Sequence, residues 1–109
     1  MCTHKMLTNG NYGYIVLCHN CNHFQIAFGT SLINLKPDHY NEFYLLAQEQ
    51  HHYYQNNGFP NNKTIHLPIF TPNSLMVLSF NELELLLEMF NKANLMLEVD
   101  AILNETSIN

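Results

Sequence analysis

The chain has 109 residues, 47% of them hydrophobic and only 12% charged, with a formal net charge of −5 when its histidines are neutral. That length supports one modest core, and the low ionic content leaves the polar surface to Asn, Gln, Thr, Ser and His. Four lysines (Lys5, Lys36, Lys63 and Lys92) and no arginine exclude the clustered cations on which nucleic-acid binding rests and disfavour anionic membrane surfaces. No apolar run approaches the ~20 residues of a membrane span. The N-terminus lacks the basic and then apolar layout of a signal peptide. A cytoplasmic location is therefore expected, where cysteines serve more often as thiolates or metal ligands than as disulfides. The odd count of three points the same way, because pairing leaves one thiol over.

Taken in order, Asn9-Gly10-Asn11 is a turn signal, and Tyr12 to Cys18 is a short apolar run of β-formers that predicts a strand. The compact polar segment His19 to His23 follows. Phe24-Gln25-Ile26-Ala27-Phe28 then alternates as a second strand, Gly29-Thr30-Ser31 turns, and Leu32 to Leu35 makes a third. Pro37 suits the first position of a helix, and Asp38 and Glu42 complement its dipole. Tyr40, Phe43, Tyr44 and Ala47 recur at helical spacing, and Asn56-Asn57-Gly58 ends the element before a loop at Phe59-Pro60-Asn61-Asn62. Thr64 to Phe70 alternates as a strand whose Pro68 belongs on an edge or at a bulge, and Leu75 to Leu78 is its partner. Ser79 with Glu82 forms a capping box for a helix carrying Leu83, Leu86, Leu87, Phe90, Ala93 and Leu97, expected to reach Leu103 before a frayed tail.

The expected fold is α+β, an antiparallel sheet with two helices on one face in the order β-ββα-ββα. One domain spans residues 1–109: a metal-binding hairpin region at 1–35, a helix at 36–57, a hairpin at 63–78 and a helix at 79–103. A shift of 43 residues places Ser31 on Ser74, Leu32 on Leu75 and Leu35 on Leu78, and Tyr40, Phe43 and Leu46 on Leu83, Leu86 and Met89. That coincidence suggests an internal ββα repeat, although alternation is cheap enough for two such stretches to match by chance.

All three cysteines and three of the histidines fall in two short stretches, Met1 to His4 and Cys18 to His23. Structural zinc takes four tetrahedral Cys and His ligands, commonly including a Cys-x₂-Cys pair in a tight turn. Cys18 and Cys21 have that spacing. Cys2 and His4, one residue apart, face the same way on an extended segment and supply the second pair. The expected zinc site is thus Cys2, His4, Cys18 and Cys21, with His23 and His19 as reserve ligands, and it ties the N-terminal arm to the first hairpin. Two plainer readings stay open: Cys18 as an ordinary buried thiol, and Cys2 as an incidental residue of a tail. A redox dithiol is a third, although such motifs usually open a helix that lowers the thiol pKa. His51-His52-Tyr53-Tyr54 reads as the end of a helix, His39 and His66 have no partner motif, and no catalytic constellation is visible.

The run Cys-His-Asn-Cys-Asn-His-Phe-Gln-Ile-Ala-Phe-Gly at 18–29 resembles a family of small bacterial proteins, typical of the Bacteroidetes group. Its members carry a Cys-x-x-Cys, a Phe/Tyr-Gln-x-x-Phe-Gly run and a C-terminal Leu-Glu-rich helix. The likeness covers nearly the whole chain, with Glu82-Leu83 and Leu97-Glu98-Val99 at the expected end. It implies a domain of unknown function and carries over no activity. The functional expectation is a small zinc-binding protein whose ion is structural and whose role is protein–protein interaction or regulation. The alternative is a thiol-redox or metal-dependent enzyme using Cys18 and Cys21. Leu85, Met89 and Met96 widen the apolar arc of the 79–103 helix, which suggests either a homodimer through it or a helix sandwiched between the sheet and its neighbour.

Overall fold

The computed structural model describes residues 4–56 and 60–108. Cys2, and the Asn57-Gly58-Phe59 part of the expected helix stop and loop, lie outside them. Eight elements follow one another: β1 (His4–Gly10), β2 (Gly13–Cys18), β3 (His23–Phe28), β4 (Ser31–Leu35), α1 (Pro37–Tyr54), β5 (Ile65–Pro68), β6 (Leu75–Leu78) and α2 (Phe80–Ile108). Strands β1 to β4 form an antiparallel meander, and β5 pairs with β6 in a separate two-stranded sheet. The architecture is α+β.

One strand more is present than the sequence pattern suggests, because the N-terminal arm is itself β1. Its register slips between Met6 and Thr8 against Val16 and Ile15. A β-bulge of this kind breaks the period of two, so Lys5-Met6-Leu7-Thr8 does not read as alternation. The bulge has a purpose in packing: Leu7 turns into the core with 4% of its surface exposed. At the following turn Gly13 sits so close to β3 that a Cβ would fall 1.8 Å from the Ala27 carbonyl oxygen. The β2–β3 approach therefore requires glycine there.

The meander's two faces separate cleanly. Ile15, Phe24, Ile26, Phe28, Ile33 and Leu35 share the inner face and belong to one buried cluster with Tyr40, Phe43 and Ala47 of α1 and Leu83, Leu86, Phe90 and Ala93 of α2. Helix α2 lies over β1 and β2, and α1 lies over β3 and β4 and against β5. Phe24 stacks on Tyr40 with ring centroids 3.8 Å apart, a direct sheet-to-helix contact. Between the helices runs a polar seam. The Tyr40 hydroxyl donates to Asn94 Oδ1 at 2.8 Å and the Tyr44 hydroxyl to Asn91 Oδ1 at 3.0 Å. Burial, with Tyr44 beside it, pushes the Tyr40 hydroxyl well above the ordinary tyrosine range, so it stays a donor.

The two strand–helix units run in the same register. A shift of 43 carries buried Ile33 and Leu35 of β4 onto buried Met76 and Leu78 of β6. It carries Pro37 at the start of α1 onto Phe80 at the start of α2, and Tyr40, Phe43 and Ala47 onto Leu83, Leu86 and Phe90. The leading strands do not follow. β3 turns into β4 through Gly29 and Thr30, whereas β5 reaches β6 through residues 69–74, with Phe70 and Asn73 at positive φ. The longer turn moves β5 back by two residues.

The start of α2 is fixed by the capping box. Ser79 Oγ accepts from the Glu82 amide at 3.2 Å, and the Ser79 amide donates to Glu82 Oε1 at 2.9 Å. Lys63, bonded to the same carboxylate, is the main cause that holds Glu82 below the usual carboxylate range, with the Ser79 amide second. Ser79→Ala should cost about 1 kcal/mol in urea denaturation. Because the folded pKa of Glu82 is depressed, its contribution is present above the unfolded carboxylate pKa. It should fade as pH falls through the folded value, modestly, since the pair is solvent-exposed.

Candidate metal centre

The centre is a product of one hairpin. β2 ends at Cys18 and β3 begins at His23, and these two residues are direct cross-strand partners. The four residues between them, His19-Asn20-Cys21-Asn22, close the loop. Asn22 takes a left-handed conformation with φ 52°, which asparagine tolerates better than most residues. This loop brings Cys21 over the end of β2. The potential ligand atoms of Cys18, Cys21 and His23 all lie within 4.8 Å of one another. Tetrahedral zinc with sulfur and nitrogen ligands spaces them by about 3.5 Å, so the three are close enough to be gathered around an ion once the sulfurs are thiolates.

Exposure is graded across the cluster. Cys18 is buried at 1%, His23 is half-buried and Cys21 is exposed. Both cysteines are disulfide-bonded in this structure, where the sequence reading expects thiolates. Two-electron reduction separates the two forms, and only the dithiolate ligates a metal.

The remaining residues singled out by sequence fall as follows. His4 is exposed and is the cross-strand partner of Cys18 on β1, outside the compact three-residue cluster. His19 is exposed and borders a cleft with Lys5, Leu17, Leu97 and Asp100, toward the end of α2. Cys2 lies outside the described residues. His51 packs in the helix seam, stacked on Phe80 with its Nε2 3.3 Å from Glu84 Oε2, and His39 stacks on Phe70. A cavity of about 620 Å³ between the outer sides of α1 and α2 is bordered by Gln48, His51, Glu84 and Asn91 and shares no residue with the cluster. Among the described residues, Cys18, Cys21 and His23 form the one grouping of metal-ligating side chains.

The far half of α2 carries a second feature. Leu95, Met96, Val99, Ile102 and Leu103 are all exposed, between 38% and 61%. Their spacing of i, i+1, i+4, i+7 and i+8 makes one apolar face. The helix is 29 residues long, about 43 Å, and sets the 51 Å long axis of the molecule. No described helix is long and apolar enough to cross a membrane.

Comparison with known proteins finds no match among curated proteins or solved structures. A family model does match, over residues 1–109. On that full-length match, this chain is a member of a family of unknown function, DUF6686.

Proposed function

We propose that this protein is a small zinc-binding module in which the ion is structural and the biological role is protein–protein interaction or regulation in the cytoplasm. The observation that carries the reading is the convergence of Cys18, Cys21 and His23 within 4.8 Å, at a tight loop between paired strands. Zinc suits a mixed thiolate and imidazole set better than magnesium or calcium, which favour oxygen ligands. The fourth ligand is His4 of the N-terminal strand or Cys2, and the ion then holds an end of the sheet that a small core alone secures weakly. Protein purified under reducing conditions without a histidine tag should carry about one zinc per chain by elemental analysis. Its thiols should become reactive only after denaturation and chelation. Metal-free protein under those conditions would sink the reading.

The disulfide-bonded state of Cys18 and Cys21 favours a second reading, a thiol-redox protein that cycles these cysteines. The same preparation separates the two. A redox protein holds no zinc when reduced and regains the disulfide with a mild oxidant, without change in fold.

For the partner we propose a second copy of this chain, docked through the 79–103 helix. Support comes from the uncharged stripe Leu95, Met96, Val99, Ile102 and Leu103, which is wider than the sheet covers. Equilibrium sedimentation at tens of micromolar should show dimer. Leu95→Glu together with Ile102→Glu should return it to monomer, and monomer in the unmodified protein would remove the proposal.

A further inference from the structure

We infer that His4 and His23 ligate together, so that the zinc is held by His4, Cys18, Cys21 and His23, with Cys2 outside the coordination sphere. This rests on the metal-binding reading above and specifies its ligand set. The argument begins with register. His4 on β1 pairs directly with Cys18 on β2, and Cys18 pairs directly with His23 on β3. Directly paired residues of antiparallel strands project to the same face, with Cβ atoms about 4.5–5.5 Å apart. His4, Cys18 and His23 therefore form one row across three strands, with Cys18 in the middle and an imidazole on either side. Cys21 approaches from the loop above that row. Cys18, Cys21 and His23 already lie within 4.8 Å of one another, and rotation of the exposed His4 side chain toward Cys18, its cross-strand partner, would supply the fourth ligand that a tetrahedral ion requires.

Charge points to the same set. Zn²⁺ with two thiolates and two neutral imidazoles is electrically neutral, whereas three thiolates leave a net charge of −1. Cys18 is 1% exposed, and an uncompensated charge is costly where water is excluded. The paired positions of this sheet face are His4, Cys18, His23, Met6, Val16, Gln25, Asn34, Asn9, Tyr14, Ala27 and Leu32, none of them cationic. Lys5 projects from the opposite face and is bonded to Asp100. The neutral Cys₂His₂ set thus fits this site better than Cys₃His. It also has a mechanical consequence. Bound this way, the ion clamps β1, β2 and β3, and with four protein ligands no coordination position stays open for substrate.

Cobalt(II) titration of reduced, metal-stripped protein tests this, because thiolate-to-cobalt charge-transfer absorption counts sulfur ligands and the visible bands report tetrahedral geometry. The unmodified protein and Cys2→Ala should show the same two-thiolate intensity and affinity. His4→Ala should weaken binding by more than about 100-fold, since even outer-shell partners of metal ligands are worth about 10–100-fold. His4→Cys should keep tetrahedral bands and raise the charge-transfer intensity by half, a gain that loss of folding cannot mimic. A one-third drop in Cys2→Ala, or unchanged intensity in His4→Cys, overturns the inference and leaves the metal reading standing. Absence of cobalt binding in the unmodified reduced protein overturns both.

Discussion

Cys18→Ala is expected to erase the stabilisation that zinc confers on the reduced protein. An ion that binds the folded chain and not the unfolded one adds RT ln(1 + [L]/Kd), about 4 kcal/mol when free zinc is a thousandfold above Kd. Cys18 is the ligand whose loss should matter most. It is buried at 1%, and it is the one residue paired with both His4 and His23. The alanine variant keeps the strand but leaves Cys21 and imidazoles alone to hold the ion. The measurement is urea denaturation with and without zinc, in a reductant that does not chelate metal. The unmodified protein should gain several kcal/mol and the variant almost none. Equal gains in both would place the ion somewhere other than this hairpin. Omitting the reductant supplies a useful contrast, because disulfide-bonded cysteines cannot respond to zinc through these sulfurs.

How much of this is legible from residues alone depends on whether the governing signal is local. The helix starts are local: Pro37 at the first position of α1 and the Ser79–Glu82 box at α2 announce themselves within four residues. The Cys-x-x-Cys loop is equally local, and its hairpin setting follows from the apolar runs on either side. β1 is different, since its bulge hides the alternation and its strand character depends on pairing with β2. His23 stands in reserve on spacing grounds. Its place beside Cys18 and Cys21 follows only from a four-residue loop that makes Cys18 and His23 partners, and loop length is not fixed by composition. The repeat shows the same division. From β4 into α1, and from β6 into α2, the register is held by buried side chains at matching positions. The preceding strands drift because their turns differ in length. The end of α2 is the least legible boundary. No glycine or proline stops the helix near Leu103, and it continues to Ile108.

Phe90→Ala should remove about 3–5 kcal/mol of stability, a large share of the ~5–15 kcal/mol that a folded domain commands. Phe90 is fully buried, and its ring meets Tyr40, Phe43 and Tyr44 at centroid separations of 5.2, 5.7 and 5.3 Å. It is the point where α2 grips α1. The Tyr40–Asn94 and Tyr44–Asn91 hydrogen bonds flank that ring, so a cavity there also loosens two polar contacts that need it for alignment. Chemical denaturation of the zinc-loaded variant gives the cost, and a loss below about 1 kcal/mol would mean that the helices do not meet around this residue. The comparison with zinc carries more information than the cost itself. Phe90 works on the inner side of the sheet, whereas the row His4, Cys18 and His23 projects from the outer face. Sites that share no partners add within a few tenths of a kcal/mol. Zinc should therefore stabilise Phe90→Ala by the same increment as the unmodified protein. Helix packing and metal binding would then be separate supports of one small fold, and a markedly smaller increment would show that the ion's site forms only when the helix seam is intact.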